Sequence, residues 1–361
     1  MLIAMAATVS VAADGKKYVC RPCGLPCDKK TFAAAGTCPD CGMPLVEAGS
    51  AAAQPADNSN KKKVAILVFN GVEVLDFSGP YEMFGAADCD VFTVAASTDA
   101  VTSAMGLGVV PKYTFANAPQ PDVLVVPGGG VKGASHDTAT LAYIKRVNEH
   151  TTHTLSVCNG AFILAEAGLL DGLSATTTYH NIPILAGQYP KIKVVSDQRY
   201  VDNGKIITAA GLSAGIDGAL HVIARLFGTG FAQQIALGEE VDWKPEGGFV
   251  RAALADHQIP DIQIDNFGTW NLVRTEGDTE HWDIVVDGNP NLAMPELTTR
   301  IEEQLKSGKW TKVDAKTGDA SNSSTWRFTG SDGKAWKGTL KLDAAADAGK
   351  KCTMSLSIAH A

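Results

Sequence analysis

No stretch of this chain reaches the roughly 20 consecutive apolar residues that a membrane-spanning helix needs. Basic residues are not in excess either: 31 Lys and Arg stand against 39 Asp and Glu, for a net charge of −8. Without a basic patch, nothing points to nucleic acid as a partner. Tryptophan is absent from everything before Trp243, and all six tryptophans lie from there on. That unevenness, in a chain of 361 residues, predicts more than one domain. With 45% hydrophobic and 19% charged residues, the composition suits a soluble globular protein with a substantial core.

The N-terminus also lacks something. Leu2 to Ala13 is apolar and ends in small residues, with Val11 and Ala13 at the −3 and −1 places of a secretory cleavage site, but the basic segment that opens such signals is missing. The expectation is a signal segment over 1–13 and a periplasmic or secreted protein, with the cytoplasm as the alternative.

Five of the eight cysteines crowd the next segment, as Cys20-x2-Cys23-x3-Cys27-x10-Cys38-x2-Cys41. Two C-x2-C pairs separated by a loop match a tetrahedral thiolate site, each pair forming a knuckle on one metal ion. Disulfides compete in an exported protein, but an odd number of thiols cannot pair completely. So short a module has too little core to fold without a cross-link. The sequences around Tyr18-Val19-Cys20 and Gly36-Thr37-Cys38-Pro39-Asp40-Cys41-Gly42 resemble the small heavy-metal-binding domain, a zinc-ribbon-like module, over 16–47. The favoured ligands of a structural zinc are Cys20, Cys23, Cys38 and Cys41, with Cys27 as the fifth candidate. Residues 48–62 are small and polar and read as a tether.

From Lys63, strands near 64–69, 91–96, 122–127 and 154–157 alternate with helices near 79–87, 138–149 and 160–167. This predicts a parallel sheet covered on both faces, with any ligand beyond the carboxyl ends of its strands. Two of those ends are informative. Leu155-Ser156-Val157-Cys158-Asn159-Gly160 reads as a buried strand, one thiol and a helix start, the pattern of a nucleophile on a sharp elbow. The helix that follows should favour the thiolate and pull its pKa below about 8.5. Val123-Leu124-Val125-Val126-Pro127-Gly128-Gly129-Gly130 ends in glycines that let backbone N–H groups approach an anion. Asn203-Gly204 reads as the tight turn of a hairpin over 199–208, and Ser213 as the cap of the next helix.

These segments, together with Leu75-Asp76-Phe77-Ser78-Gly79-Pro80, Gly168-Leu169-Leu170-Asp171-Gly172 and Ser213-Ala214-Gly215-Ile216-Asp217-Gly218, resemble in order and spacing the ThiJ/PfpI family of the class I glutamine amidotransferase-like superfamily. The similar branch contains isonitrile hydratase and the amidotransferase-like halves of some regulators. The resemblance implies a flavodoxin-like α/β sandwich over 63–243. It also implies Cys158 as nucleophile, Asp76 as the acid facing it, and an oxyanion hole from the N–H groups of Gly129 and Asn159. Two departures stand out. Many relatives have Thr, and peptidase-like ones His, where this chain has Asn159. The His that many relatives carry about twenty residues on is replaced by Thr178, leaving His180 as the nearest imidazole and catalytic candidate.

The tail, 246–361, predicts a small α+β domain: strands at 282–286, 326–329 and 336–342, a turn at Ser331-Asp332-Gly333-Lys334, and an amphipathic helix from Glu296 to Lys306. Its tryptophans are expected in the core. The functional expectation is a cysteine-dependent enzyme acting on a small electrophilic carbon, best described as isonitrile hydratase-like, with glyoxalase-like chemistry second. Asp76, kept protonated by desolvation, would donate to the thiolate. The alternative is a non-catalytic protein that binds a ligand or senses oxidants through Cys158. A small-molecule substrate is the expected partner, a homodimer is left open, and no cofactor is expected for the core chemistry.

Overall fold

The computed structural model describes residues 16–20, 26–49, 61–245, 247–313, 322–344 and 351–361. The signal segment expected at 1–13, most of the tether and the candidate ligand Cys23 lie outside the described residues.

A seven-stranded sheet forms the flavodoxin-like unit, in the order Tyr200–Asp202, Ile206–Ala209, His153–Val157, Val123–Val126, Lys63–Leu67, Asp90–Ala95, Tyr113–Thr114. Its strands run parallel except for Tyr200–Asp202, which pairs antiparallel with Ile206–Ala209. The central strands are buried on both faces, and mostly apolar there, with Thr154 and Ser156 of His153–Val157 among the exceptions, because each face is covered. Val64, Ile66, Val123, Val125, Leu155 and Val157 join a core with Phe84, Leu220 and Ile223. Ala65, Leu67, Leu124 and Val126 turn the other way, against Ile144, Ile163 and Leu164. This is the pattern a buried parallel sheet requires.

Four neighbouring strands end on one side. Lys63–Leu67 leads to Val74–Ala86, Val123–Val126 to the three glycines, His153–Val157 to Cys158, and Ile206–Ala209 to Gly211 and Leu212. Helix Val74–Ala86 starts about five residues before the expected position, because the Glu73 side chain accepts from Val74 N–H and Pro80 is accommodated inside the helix. Asp76 therefore sits in its first turn. Two other expectations change in detail. In the hairpin, Asn203 N–H still pairs with the Ile206 carbonyl, so only Gly204 takes a positive φ, of 85°. Ser213 does not cap helix Ser213–Phe227; Leu212 holds that place with φ 52°, and the Ser213 hydroxyl accepts from Arg199 instead.

At the N-terminus, Tyr18–Cys20 pairs antiparallel with Thr31–Phe32 and Leu45–Glu47. The tail holds a six-stranded antiparallel sheet in the order Gly268–Gly277, His281–Pro290, Cys352–His360, Ala335–Asp343, Ser323–Thr329, Thr311–Val313. Helix Met294–Ser307 buries Leu297, Ile301 and Leu305. Trp282, Trp310, Trp326 and Trp336 lie in this core as expected, with Trp310, Phe328 and Trp336 stacked in a row. No helix among the described residues is long and apolar enough to cross a membrane.

The elbow depends on a missing side chain. A Cβ at Gly160 would collide with the Val126 carbonyl oxygen and crowd Pro127 O, and both obstacles are backbone. Gly160→Ala should therefore cost about 3 kcal/mol or more, read as a lower urea midpoint with an unchanged slope. A loss under ~0.5 kcal/mol would show that the elbow is not packed this tightly.

Candidate functional site

Cys158 ends its strand in the left-handed region, at φ 57°, and its N–H donates to the Ala209 carbonyl. A non-glycine residue there is held against its own preference by its surroundings. Neighbouring glycines make room. A Cβ at Gly128 would lie 2.8 Å from the Cys158 Cβ and 2.9 Å from Asp76 Oδ2, and one at Gly211 would lie 3.1 Å from Cys158 Sγ. The Thr177 hydroxyl donates to the Cys158 carbonyl at 2.9 Å.

Asp76 faces the thiol and has no solvent exposure. Gly128 N–H donates to Oδ2 at 3.1 Å and Leu212 N–H to Oδ1 at 2.8 Å, while the Cys158 thiol supplies a further hydrogen bond. Burial pushes the Asp76 carboxyl up to about 6, against the pull of these three donors. Burial first, and then the Asp76 charge, push the Cys158 thiol up, although the N–H groups of Asn159 and Gly129 are both turned on the sulfur. The Cys158 thiol and the Asp76 carboxyl are thus both raised by burial and share a hydrogen bond. Asp76 is raised by desolvation, the direction expected from the sequence, whereas the Cys158 thiol moves up rather than down, because helix Gly160–Glu166 does not offset the burial of the sulfur.

Cys158, Asp76, Gly129 and Asn159 therefore come together. The Asn159 amide donates to the Gly129 carbonyl at 3.2 Å and accepts from the Asn181 side chain. It ties together the two loops that supply N–H groups to the sulfur. His180 does not join them: it is exposed, its ring lies on Tyr179 at 3.7 Å between centroids, and it has no part in the hydrogen bonds around Asp76. Thr177, Asn181, Gly211 and Leu212 were not singled out from the sequence. Thr177 ends the segment from Gly168 that carries the family resemblance, and Leu212 adjoins the one that begins at Ser213, which is the only signal they offer.

The second cluster is in the N-terminal region. The sulfurs of Cys20, Cys27, Cys38 and Cys41 all lie within 4.8 Å of one another, and Cys20 Sγ is 3.2 Å from Cys41 Sγ. Four thiolates around a zinc-sized ion, at metal–sulfur distances of about 2.3 Å, stand roughly 3.8 Å apart, so the arrangement is close to what a metal ion requires. Gly42 N–H donates to the Cys38 carbonyl and Cys38 N–H to that of Met43, closing the knuckle. The Met43 N–H and then Cys20 hold the Cys41 thiol down to about 7, while Cys41 and burial push Cys20 up. Cys27, the fifth candidate of the sequence, comes from the short turn Pro26–Lys29 and joins the cluster, while Cys23 lies outside the described residues.

A family model described as the DJ-1/PfpI family matches residues 62–225. Isonitrile hydratase of Pseudomonas putida is 37% identical over 179 residues, which cover 48% of this chain and 76% of that protein. The HTH-type transcriptional regulator GlxA of Rhizobium meliloti is 25% identical over 227 residues, or 60% of this chain and 67% of that one. Among solved structures, a ThiJ/PfpI family protein from Pseudomonas syringae aligns with a TM-score of 0.48 at 37% identity, covering 51% of this chain and 77% of that one.

The buried carboxylate has a consequence for stability. A carboxyl raised to about 6 in the folded state binds its proton more tightly there than in the unfolded chain. Its contribution to stability is therefore lost as pH rises from about 4 to about 6, by about 3 kcal/mol in all. Asp76→Asn should lack that fall, so the stability difference between variant and wild type should shift in the variant's favour across this window. A difference that stays flat with pH in paired urea titrations would mean that Asp76 titrates normally.

Proposed function

The chain belongs to the DJ-1/PfpI family, and on that footing we propose that it is a cysteine-dependent enzyme that hydrates a small electrophilic carbon, with an isonitrile as the best-supported substrate. The observation that carries the reading is the pairing of the Cys158 thiol with the buried Asp76 carboxylate under the N–H groups of Asn159 and Gly129. The 37% identity to an isonitrile hydratase supports the substrate class.

In this mechanism Asp76 takes the thiol proton as sulfur bonds to the terminal carbon of the isonitrile, and returns it to that carbon. The product is a thioformimidate on Cys158. Water then adds to the same carbon: Asp76 takes one of its protons and passes it to the imine nitrogen, and the N–H groups of Asn159 and Gly129 hold the oxygen of the adduct. Collapse expels the cysteine sulfur, which recovers its proton, and releases an N-substituted formamide. The sum is isonitrile plus water. Asn159 stands where many relatives have Thr, and it serves here by fixing the two N–H groups.

We also propose that Cys20, Cys27, Cys38 and Cys41 bind one structural zinc in a zinc-ribbon-like module. Four thiolates make a closed site with no position for substrate.

Cys158→Ser should abolish turnover with the fold intact, and Asp76→Asn should lower kcat by about a hundred- to ten-thousand-fold. Because the base must be ionised, the wild-type rate should climb with pH through about 6 and level off above it, and that limb should vanish in Asp76→Asn. Full turnover in Cys158→Ser would end the proposal. For the zinc, purified protein should carry about one equivalent per chain. Cys27→Ser should release it, whereas Cys23→Ser should not; the reverse result would restore the ligand set expected from the sequence.

A further inference from the structure

A cavity of about 300 Å³ lies one residue beyond the Cys158 elbow: Cys158 itself does not line it, but Gly211, packed against the sulfur, does, and its two walls come from different parts of the chain. Thr177, Gly211 and Leu212 form the inner wall, and these are residues that hold Cys158 and Asp76. Phe249, Val250 and Arg251 form the outer wall. They lie beyond the last helix of the flavodoxin-like unit, Thr229–Gly238, and beyond the stretch that the family model matches.

The outer wall is pinned at three points. The Tyr200 hydroxyl donates to the Pro245 carbonyl. Arg199 donates to the Phe249 carbonyl at 2.8 Å. The Arg251 guanidinium lies 4.2 Å from the centre of the Tyr179 ring and is held by Asp256 through two hydrogen bonds, at 2.8 and 2.6 Å. A planar fork bound at both nitrogens is a fixed object.

The same contacts set the charge of the cavity. Its two cationic lining residues are already engaged. Arg199 is bound to Asp217 at 2.7 Å and to the Ser213 hydroxyl at 3.0 Å, and Arg251 is bound to Asp256. The rest of the lining is hydroxyl, amide or apolar, and the Asp76 carboxylate behind the inner wall repels anions. At the low end of the size range for ligand pockets, such a chamber admits compact, uncharged molecules.

We propose that the segment 249–252 is the outer wall of the chamber through which Cys158 is reached, and that Phe249 and Arg251 make it selective for small neutral electrophiles. The inference rests on Cys158 as the reactive thiol, and it holds for electrophiles other than isonitriles.

Alkylation of the full-length protein tests it without turnover. Iodoacetamide, iodoacetanilide and iodoacetate share one reacting carbon, on which the Cys158 sulfur displaces iodide, but they differ in bulk and charge. Rates at Cys158, followed by peptide mass spectrometry and normalised to glutathione, should favour iodoacetamide over the other two by about tenfold or more. Phe249→Ala and Arg251→Ala should bring the iodoacetanilide ratio close to that of glutathione. Phe249 is 58% exposed, so its truncation opens no core, and a matching thermal melt checks this. Equal ratios in wild type and both variants, or no reaction of Cys158 with iodoacetamide in the folded protein, would overturn the inference. If the ratios shift as expected while isonitriles are not turned over, the wall stands and the hydratase reading falls.

Discussion

The structure of the site hangs on one buried charge. Asp76 comes from the first turn of a helix, yet its partners are Gly128, 52 residues away, and Leu212, 136 residues away. Two backbone N–H groups and a thiol meet on its two oxygens, joining the ends of three strands and a helix at one point. A carboxylate with no solvent exposure is expensive unless it is fully hydrogen-bonded. The burial that lifts its pKa to about 6 is what makes it a usable base near neutral pH. The same burial makes it a liability for the fold. Function and instability have a single physical cause here.

The backbone around Asp76 is bent to serve it. Cys158 and Leu212 both lie in the left-handed region, at φ 57° and 52°, and neither has the freedom of glycine. Leu212 turns its N–H onto Oδ1, and Cys158 turns its side chain toward the carboxylate. The glycines at 128, 160 and 211 are the counterpart of that strain, since a Cβ at each would meet backbone or the site itself. Strain of this kind persists only where the surrounding structure over-determines it. Parallel strands pinned on both sides supply that rigidity.

Much of this was legible in the sequence, and the exceptions are instructive. The central strands could be read because they are short, mostly apolar runs ending in glycine or in the lone cysteine. The elbow could be read because a lone Cys followed by Asn-Gly breaks an apolar run. Helix Met294–Ser307 and the strand Ala335–Asp343 announced themselves by spacing, with Trp336, Leu340 and Leu342 on the buried side. Strand Gly268–Gly277 did not, because it lies at the edge of its sheet, with Leu272 and Val273 exposed and a bulge between Leu272 and Arg274, so no alternation survives. Spacing alone ranked Cys27 last among the five N-terminal thiols, because it stands in no C-x2-C pair; the turn Pro26–Lys29 is what carries it to Cys20, Cys38 and Cys41. Ser213 has the residue type of a cap but spends its hydroxyl on Arg199. The partners of Asp76 are backbone atoms, which residue identity does not reveal.

The two thiol sites are opposites, and the contrast bears on what each can do. In the N-terminal cluster the sulfurs crowd one another. Cys41 is held down to about 7 by the Met43 N–H and by Cys20, while Cys20 is pushed up by Cys41. Four thiolates cannot coexist there on their own hydrogen bonds, and a cation is the natural counter-charge. At Cys158 there is one sulfur, one carboxylate and no cation in contact. Lowering the thiol pKa would require a positive charge or a protonated Asp76. Instead the pair keeps its proton between them, poised for transfer when an electrophile arrives. The two thiol sites thus differ in kind: four sulfurs within 4.8 Å of one another in the N-terminal region, and one sulfur facing one carboxyl group at the elbow.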